Sequence, residues 1–379
     1  MTVIIKSDKK ATVSMGNVNG INGPQDWAMF FDFENELYAT KQAGLLKQDY
    51  KLTDVVEATR QNLNGAPISI SKDGTEKFVT STTEIRTALL KNGRFGLLAE
   101  DVNENFFLNS SAPATQTIVM TAAATKIVAS CEGTGSLTIT GDIVGAPITV
   151  TADTPKTLER LSATTACNLN IAVSGTLTHA QIELATGAQT ATSKVKTTST
   201  SAIRARELVK VKQSLFNSII QNKSAFTVLV QTIDFNGTVN QSNHVVNRLG
   251  LEAGSNLKLL KMGGLANQDQ YHGYTIQYVG STPTNNTAVI SGSYSPTNRF
   301  HPYNNAIAIN NGGIRGAFNG VAEGALAIEN PFTVTDITFG YGYNSPIARN
   351  GLRGIVTKLV VYDRVLTQSE ITELTNSWL

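Results

Sequence analysis

Residues Gly354–Leu374 read GIVTKLVVYDRVLTQSEITEL. The run from Ile355 to Val361 has the length and β-branched content of a strand. The Tyr362-Asp363-Arg364 corner lets a charged turn leave that strand. Thr367 and Glu370 have capping-box spacing: the hydroxyl accepts from the Glu370 amide, and the Glu370 carboxylate reaches back to the Thr367 amide. Leu366 and Ile371 occupy the staple positions around that cap. Ile371, Leu374 and Trp378 then follow at i, i+3 and i+7, one face of a short helix. A helix this short does not persist alone in water. It is expected to lie on a sheet and bury those three residues, so a mainly β domain ends here.

Composition extends the β reading to the whole chain. Its 379 residues suggest two to three domains at about 150 residues each. Hydrophobic residues make up 41% and charged residues only 16%, below the ~25% of an average globular protein. Thr, Ser and Asn carry the polarity, together with 31 Gly, a mixture that suits short strands and tight turns. A mostly helical protein is excluded, because it needs Leu, Glu, Lys and Ala at a 3.6-residue period. The net charge of +2 gives no field toward nucleic acid or anionic membranes, so neither is an expected partner. No apolar run reaches the ~20 residues of a spanning helix. The opening MTVIIKSDKK is too short an apolar run for a signal peptide.

Along the chain, the aromatic PQDWAMFFDF (Pro24–Phe33) is a strand or a docking segment. APISISKDGTEKFVTS alternates through Ile68 and Ile70, turns at Asp73-Gly74 and resumes at Phe78, a hairpin signal. TTEIRTALLKNG reads as a helical turn stopped by Gly93. From Leu108 to Ala188, seven apolar runs are punctuated by Gly, Asp or Pro, as in an antiparallel sandwich or jelly roll. Thr186–Ala202 is polar and reads as a linker. RELVKVKQSLFNSIIQNK reads as a short strand, then a helical turn at Leu215–Ile220. Long strands and turn dipeptides such as Asn319-Gly320 fill the rest, a larger sandwich. The expected order is therefore an N-terminal region (1–107), a small β-sandwich (108–188), a linker (189–206) and a final sandwich (207–379).

Several short motifs are familiar in their order. GLLAE (Gly96–Glu100) is followed by NFFLNS (Asn105–Ser110), then VSGTLTHAQIE (Val173–Glu183), then Arg204-Ala205-Arg206-Glu207. This series resembles structural proteins of tailed bacteriophages: fibres, spikes and head-decoration proteins. Their RAAD-like motif carries Ala and Asp where this chain has Arg206 and Glu207. The resemblance covers roughly Leu52 to Leu379 and implies a C-terminal concanavalin A-like (laminin-G-like) sandwich. It also implies a virion-surface location, synthesis in the bacterial cytoplasm, and contacts with capsid, collar or tail proteins. Virion symmetry favours a homotrimer. The N-terminal part would fasten to the particle, with Trp27, Phe30, Phe31 and Phe33 as docking residues.

Motif-level signs of catalysis are weak. There is no GxSxG elbow, P-loop or EF-hand run, so no catalytic residue is assigned. Cys131 and Cys167 lack CxxC spacing and read as buried thiols. His179, His244, His272 and His301 form no HxxxH or HExxH pair, so neither metal nor cofactor is expected. Glycan sites combine aromatic faces with hydroxyl-bonding polar groups. NQDQYHGYTIQY offers Asp269, Tyr271, His272 and Tyr274, and YSPTNRFHPYNN offers Asn298, Arg299, His301 and Tyr303. The same aromatics equally suit loop support or subunit contacts. The expectation is a displayed virion protein that contacts host-surface glycans. A capsule depolymerase and a free carbohydrate-binding module are the alternatives.

Overall fold

The structure is a computed structural model of the chain. It describes residues 24–234 apart from 43–44, 64, 66, 101, 122–125, 153, 186–190 and 222. Beyond that it describes 244–253, 258–266, 271–278, 285–291, 302–310, 313–322, 325–327, 334–339, 352 and 354–377. The fold is mainly β: a small antiparallel sandwich, a large sandwich, and a short C-terminal helix.

The seven apolar runs of the middle segment are seven strands. Gln116–Met120, Cys167–Ser174, Ser136–Gly141 and Ile148–Thr151 form one sheet. Lys156–Glu159, Lys126–Gly133 and Leu177–Ala185 belong to the other. Alternation puts Ile118, Leu137, Leu169, Ile127, Leu158 and Ile182 into one shared core, so each sheet keeps its opposite face for other contacts. Cys131 and Cys167 are buried in that core.

The large sandwich also has two sheets. One runs Val321–Ala322, Gly313–Phe318, Pro302–Asn310, Phe226–Asp234, Gly354–Tyr362, Met29–Asp32, Leu37–Gln42 and Leu45–Lys47. The other runs Asn285–Ser291, Tyr271–Tyr278, Lys258–Ala266, His244–Ala253, Asp336–Phe339, Glu207–Val211 and Val56–Arg60. Phe31, Val228, Val230 and Leu359 from the first sheet share a core with Val56, Val209, Leu251 and Phe339 from the second. The Phe33 and Phe339 rings meet edge to face at 5.9 Å across the sheets.

Strand pairing corrects the linear domain order. The described residues before 100 are not a separate region, because Met29–Asp32 pairs directly with Gly354–Tyr362. Val56–Arg60 likewise pairs with Glu207–Val211. The large sandwich is thus built from both ends of the chain, and the small sandwich is inserted between them. The expected linker is correspondingly packed: Val195 is 0% and Thr197 3% exposed, and Val195 bridges to Pro67. The helical turn expected before Gly93 is a strand, Thr87–Leu89, paired with Phe95–Leu98. Hairpin pairing with Phe95–Leu98 and the burial of Ala88 override its helical spacing there.

Other local readings hold. Ile68–Ile70 pairs with Glu76–Phe78 around the turn that contains Gly74. Asn319 and Gly320 both have positive φ, 44° and 80°, in the turn between two paired strands. The strand Glu207–Val211 is followed by the helix Gln213–Ile219. Gly96 is required by proximity: a Cβ there would stand 2.5 Å from the Val356 carbonyl oxygen.

Candidate functional site

The C-terminal clasp forms as its sequence implies. The Thr367 amide donates to Glu370 Oε2 at 2.7 Å, and the Glu370 amide donates to Thr367 Oγ1 at 3.3 Å. Leu366, Ile371 and Leu374 are fully buried with Trp27, Phe30 and Tyr362; Trp378 lies outside the described residues. Arg364 donates to Glu370 and, across the whole length of the sequence, to Asp26 at 2.6 Å. Tyr362 donates its hydroxyl to the Pro24 carbonyl at 3.0 Å. The Arg364 hydrogen bonds lower the Glu370 pKa from 4.5 to about 2, aided by the Thr367 bonds. They also lower Asp26. Asp363 pairs with Lys223 at 3.0 Å. The clasp fastens one end of the chain to the other.

The four proposed docking aromatics are part of this architecture. Trp27 and Phe30 sit under the C-terminal helix, and Phe31 and Phe33 between the sheets. All four are at most 1% exposed. The strand has neighbours on both sides and packing on both faces, so no apolar surface is left there to dock. Of the two readings of this segment, the strand is the one present, as Met29–Asp32.

Of the glycan-site residues, Asp269, Asn298, Arg299 and His301 lie outside the described residues. Tyr271, His272 and Tyr274 lie on the Tyr271–Tyr278 strand, one in from the edge of its sheet. Tyr303 is 6% exposed and stacks on Phe318 at 6.0 Å, so its ring face is covered.

A larger polar constellation lies between the two sandwiches. The chain crosses from the large to the small one between Phe95–Leu98 and Asn103–Asn105, and returns between Ala202–Arg204 and Glu207–Val211. The outward crossing carries Glu100, the last residue of GLLAE. The return carries Arg204 and Glu207, the two ends of the RARE stretch. Arg86 joins the crossings, reaching Glu100 at 2.8 Å and Glu207 at 3.0 Å. Arg60, the cross-strand partner of Glu207, bonds it at 2.6 Å. Arg204 reaches Glu100 at 3.2 Å. The side chains of all five are 0% exposed.

The remaining motif residues surround this network. Glu183 ends VSGTLTHAQIE and accepts from the Thr192 amide at 2.9 Å and from the Asn103 side chain. Asn105 accepts from the Ile182 and Phe107 amides at 3.0 Å each. Ser110 and Thr197 exchange two hydrogen bonds. Ser193, from the expected linker, donates its amide to Glu100 at 2.8 Å. Three buried arginines therefore meet two buried glutamates, which limits the cost of taking charge out of water. Burial alone would raise the Glu100 pKa, but Arg204, Arg86 and Ser193 outweigh it and leave it lowered. Burial pulls Arg86 below its ordinary value against the pull of Glu207 and Glu100. The motifs gave Glu100, Arg204 and Glu207 by position but not by role. Arg60 and Arg86 carried no sequence signal.

A cleft of about 380 Å³ opens beside the network. Ala180 and Ile182 face the small core, so His179 and Gln181 take the opposite sheet face, which lines the cleft. His179 and Gln181 lie 3.3 Å apart, and burial lowers the His179 pKa. Ile68, Ala88 and Leu98, from the large sandwich's strands and hairpin, line the same space.

Comparison with known proteins finds no matching family model and no matching curated protein. Among solved structures, the chain is similar to the CBM40 of the Ruminococcus gnavus IT-sialidase bound to alpha2,6 sialyllactose. Identity there is 13% over 40% of this chain and 82% of that one, with a TM-score of 0.32. For the Trypanosoma rangeli sialidase with 2,3-difluorosialic acid the identity is 18% over 40% and 23%, with a TM-score of 0.29. For the leech intramolecular trans-sialidase it is 13% over 41% and 23%, with a TM-score of 0.31. Likeness at this level says nothing about what this chain binds.

Proposed function

We propose that this protein is a structural component displayed on the surface of a tailed-phage particle. One observation carries the reading. The motifs that resemble those of such proteins coincide with the two crossings between the sandwiches and the residues packed against them. Motifs that mark an architecture are expected at its joints. A dry, multiply bonded joint suits a protein that must present a second body at a fixed angle.

Contact with host-surface glycans is the finer part of the proposal. Tyr271, His272 and Tyr274 fall within one strand, next to the edge strand of its sheet, and residues of these types suit sugar hydroxyls and C–H faces. The primary test is immunogold electron microscopy of particles purified from a lysate of the bacterium that carries the gene. Regular labelling at several symmetry-related positions is expected. Recovery of the protein only in the particle-free fraction would overturn the particle assignment and leave a free glycan-binding module.

A further inference from the structure

The cleft has two unlike walls. Its apolar wall is aliphatic: Ile68, Ile70, Ala88, Leu90 and Leu98. Its polar wall is a sheet face, where Glu132 is the cross-strand partner of His179 and Gln181 stands two residues on. Among the described residues no Phe, Tyr or Trp lines the cleft, so it offers no broad ring face for stacking a sugar.

The cations at the polar side are already engaged. Lys194 is bridged to Glu132 at 2.7 Å and to Glu76 at 2.5 Å, and Lys91 donates to the Ala152 carbonyl at 3.3 Å. Glu132 stands in the cleft wall with them. With its pKa lowered by burial, His179 is neutral at pH 7, and with Gln181 it provides both donor and acceptor atoms. A space of about 380 Å³ falls within the range of small-molecule sites.

We propose that this cleft binds an uncharged amphiphile, a short aliphatic chain with a hydroxyl head. The chain lies against Ile68, Ala88 and Leu98, and the head lies among Glu132, His179 and Gln181. Burial of the aliphatic part supplies the affinity. The polar wall supplies the selection, because Lys194 is already held by Glu132 and Glu76 and an anionic head would lose hydration to stand beside the Glu132 carboxylate.

The test is calorimetric titration of the full chain with 1-octanol, octanoate and methyl β-D-glucoside, all below micellar concentrations. Saturable 1:1 binding of octanol is expected, at least tenfold weaker binding of octanoate, and none of the glucoside. Ala88→Phe fills the cleft from the apolar wall and Ala152→Trp fills it from a loop at its rim. Each should weaken octanol binding at least tenfold with unchanged far-UV circular dichroism. If Ala88→Phe does not fold, the loop variant alone decides. Absence of saturable octanol binding, octanoate binding as strong as octanol, glucoside binding, or full retention by Ala152→Trp would each overturn the proposal.

Discussion

Two arginine–carboxylate clusters fasten distant parts of this chain, and the water around them differs. At the clasp, Arg364 holds Asp26 and Glu370 with 38% of its side chain exposed. At the junction, Arg60, Arg86 and Arg204 hold Glu100 and Glu207 with none exposed. The chemistry is the same, but the energetics are not. Solvent screens the clasp pairs, so little is lost when one is removed. The junction charges have only each other and nearby polar groups, so removing one strands the rest. The clasp takes its strength from Leu366, Ile371 and Leu374, and the junction takes its rigidity from charge.

The largest expected effect is at the junction. Glu207→Ala leaves Arg60 and Arg86 without that carboxylate and should cost about 3–5 kcal/mol in urea unfolding. A loss below 1 kcal/mol would mean that water reaches the site. The clasp responds most strongly through its apolar face. Leu374→Ala should cost about 2–5 kcal/mol, and an unchanged melting temperature would show that the helix is not docked.

The smallest effect is expected at the exposed pair. Arg364→Ala should cost about 1 kcal/mol or less and even less in 1 M salt. Its pH signature is specific. The Glu370 pKa is lowered to about 2 from 4.5, chiefly by Arg364. Its contribution is therefore complete above pH 4.5 and disappears as pH falls toward 2. The variant's stability curve should be flatter than that of the wild type across that window; an identical acid limb would show that Arg364 does not hold Glu370.

The contrast also explains what the sequence disclosed. Clasp signals are local: Thr367 and Glu370 are three residues apart, and Ile371 and Leu374 share a helical face. The strands of the small sandwich are equally legible, because alternation and turn residues act over short spans. The junction is not local. Arg60 meets Glu207 only because strands 147 residues apart in sequence pair, and no periodicity encodes such a partner. The insertion of one sandwich into the other was hidden for the same reason. Trp27, Phe30, Phe31 and Phe33 looked like surplus apolar surface because their partner strand, Gly354–Tyr362, lies at the far end of the chain. The polar Ala191–Thr197 stretch resembled a linker because its role is to donate hydrogen bonds to Glu100, Glu183 and Ser110. Its composition matches that of a solvated loop.

The most direct test of the dry junction is a double-mutant cycle on Arg60→Met and Glu207→Met, run beside one on Arg364→Met and Glu370→Met. If the junction is dry, the Arg60–Glu207 coupling energy should be at least about 2 kcal/mol, with the double variant more stable than Glu207→Met alone. The Arg364–Glu370 coupling should stay below about 1 kcal/mol. Equal, small couplings at both sites would contradict the account.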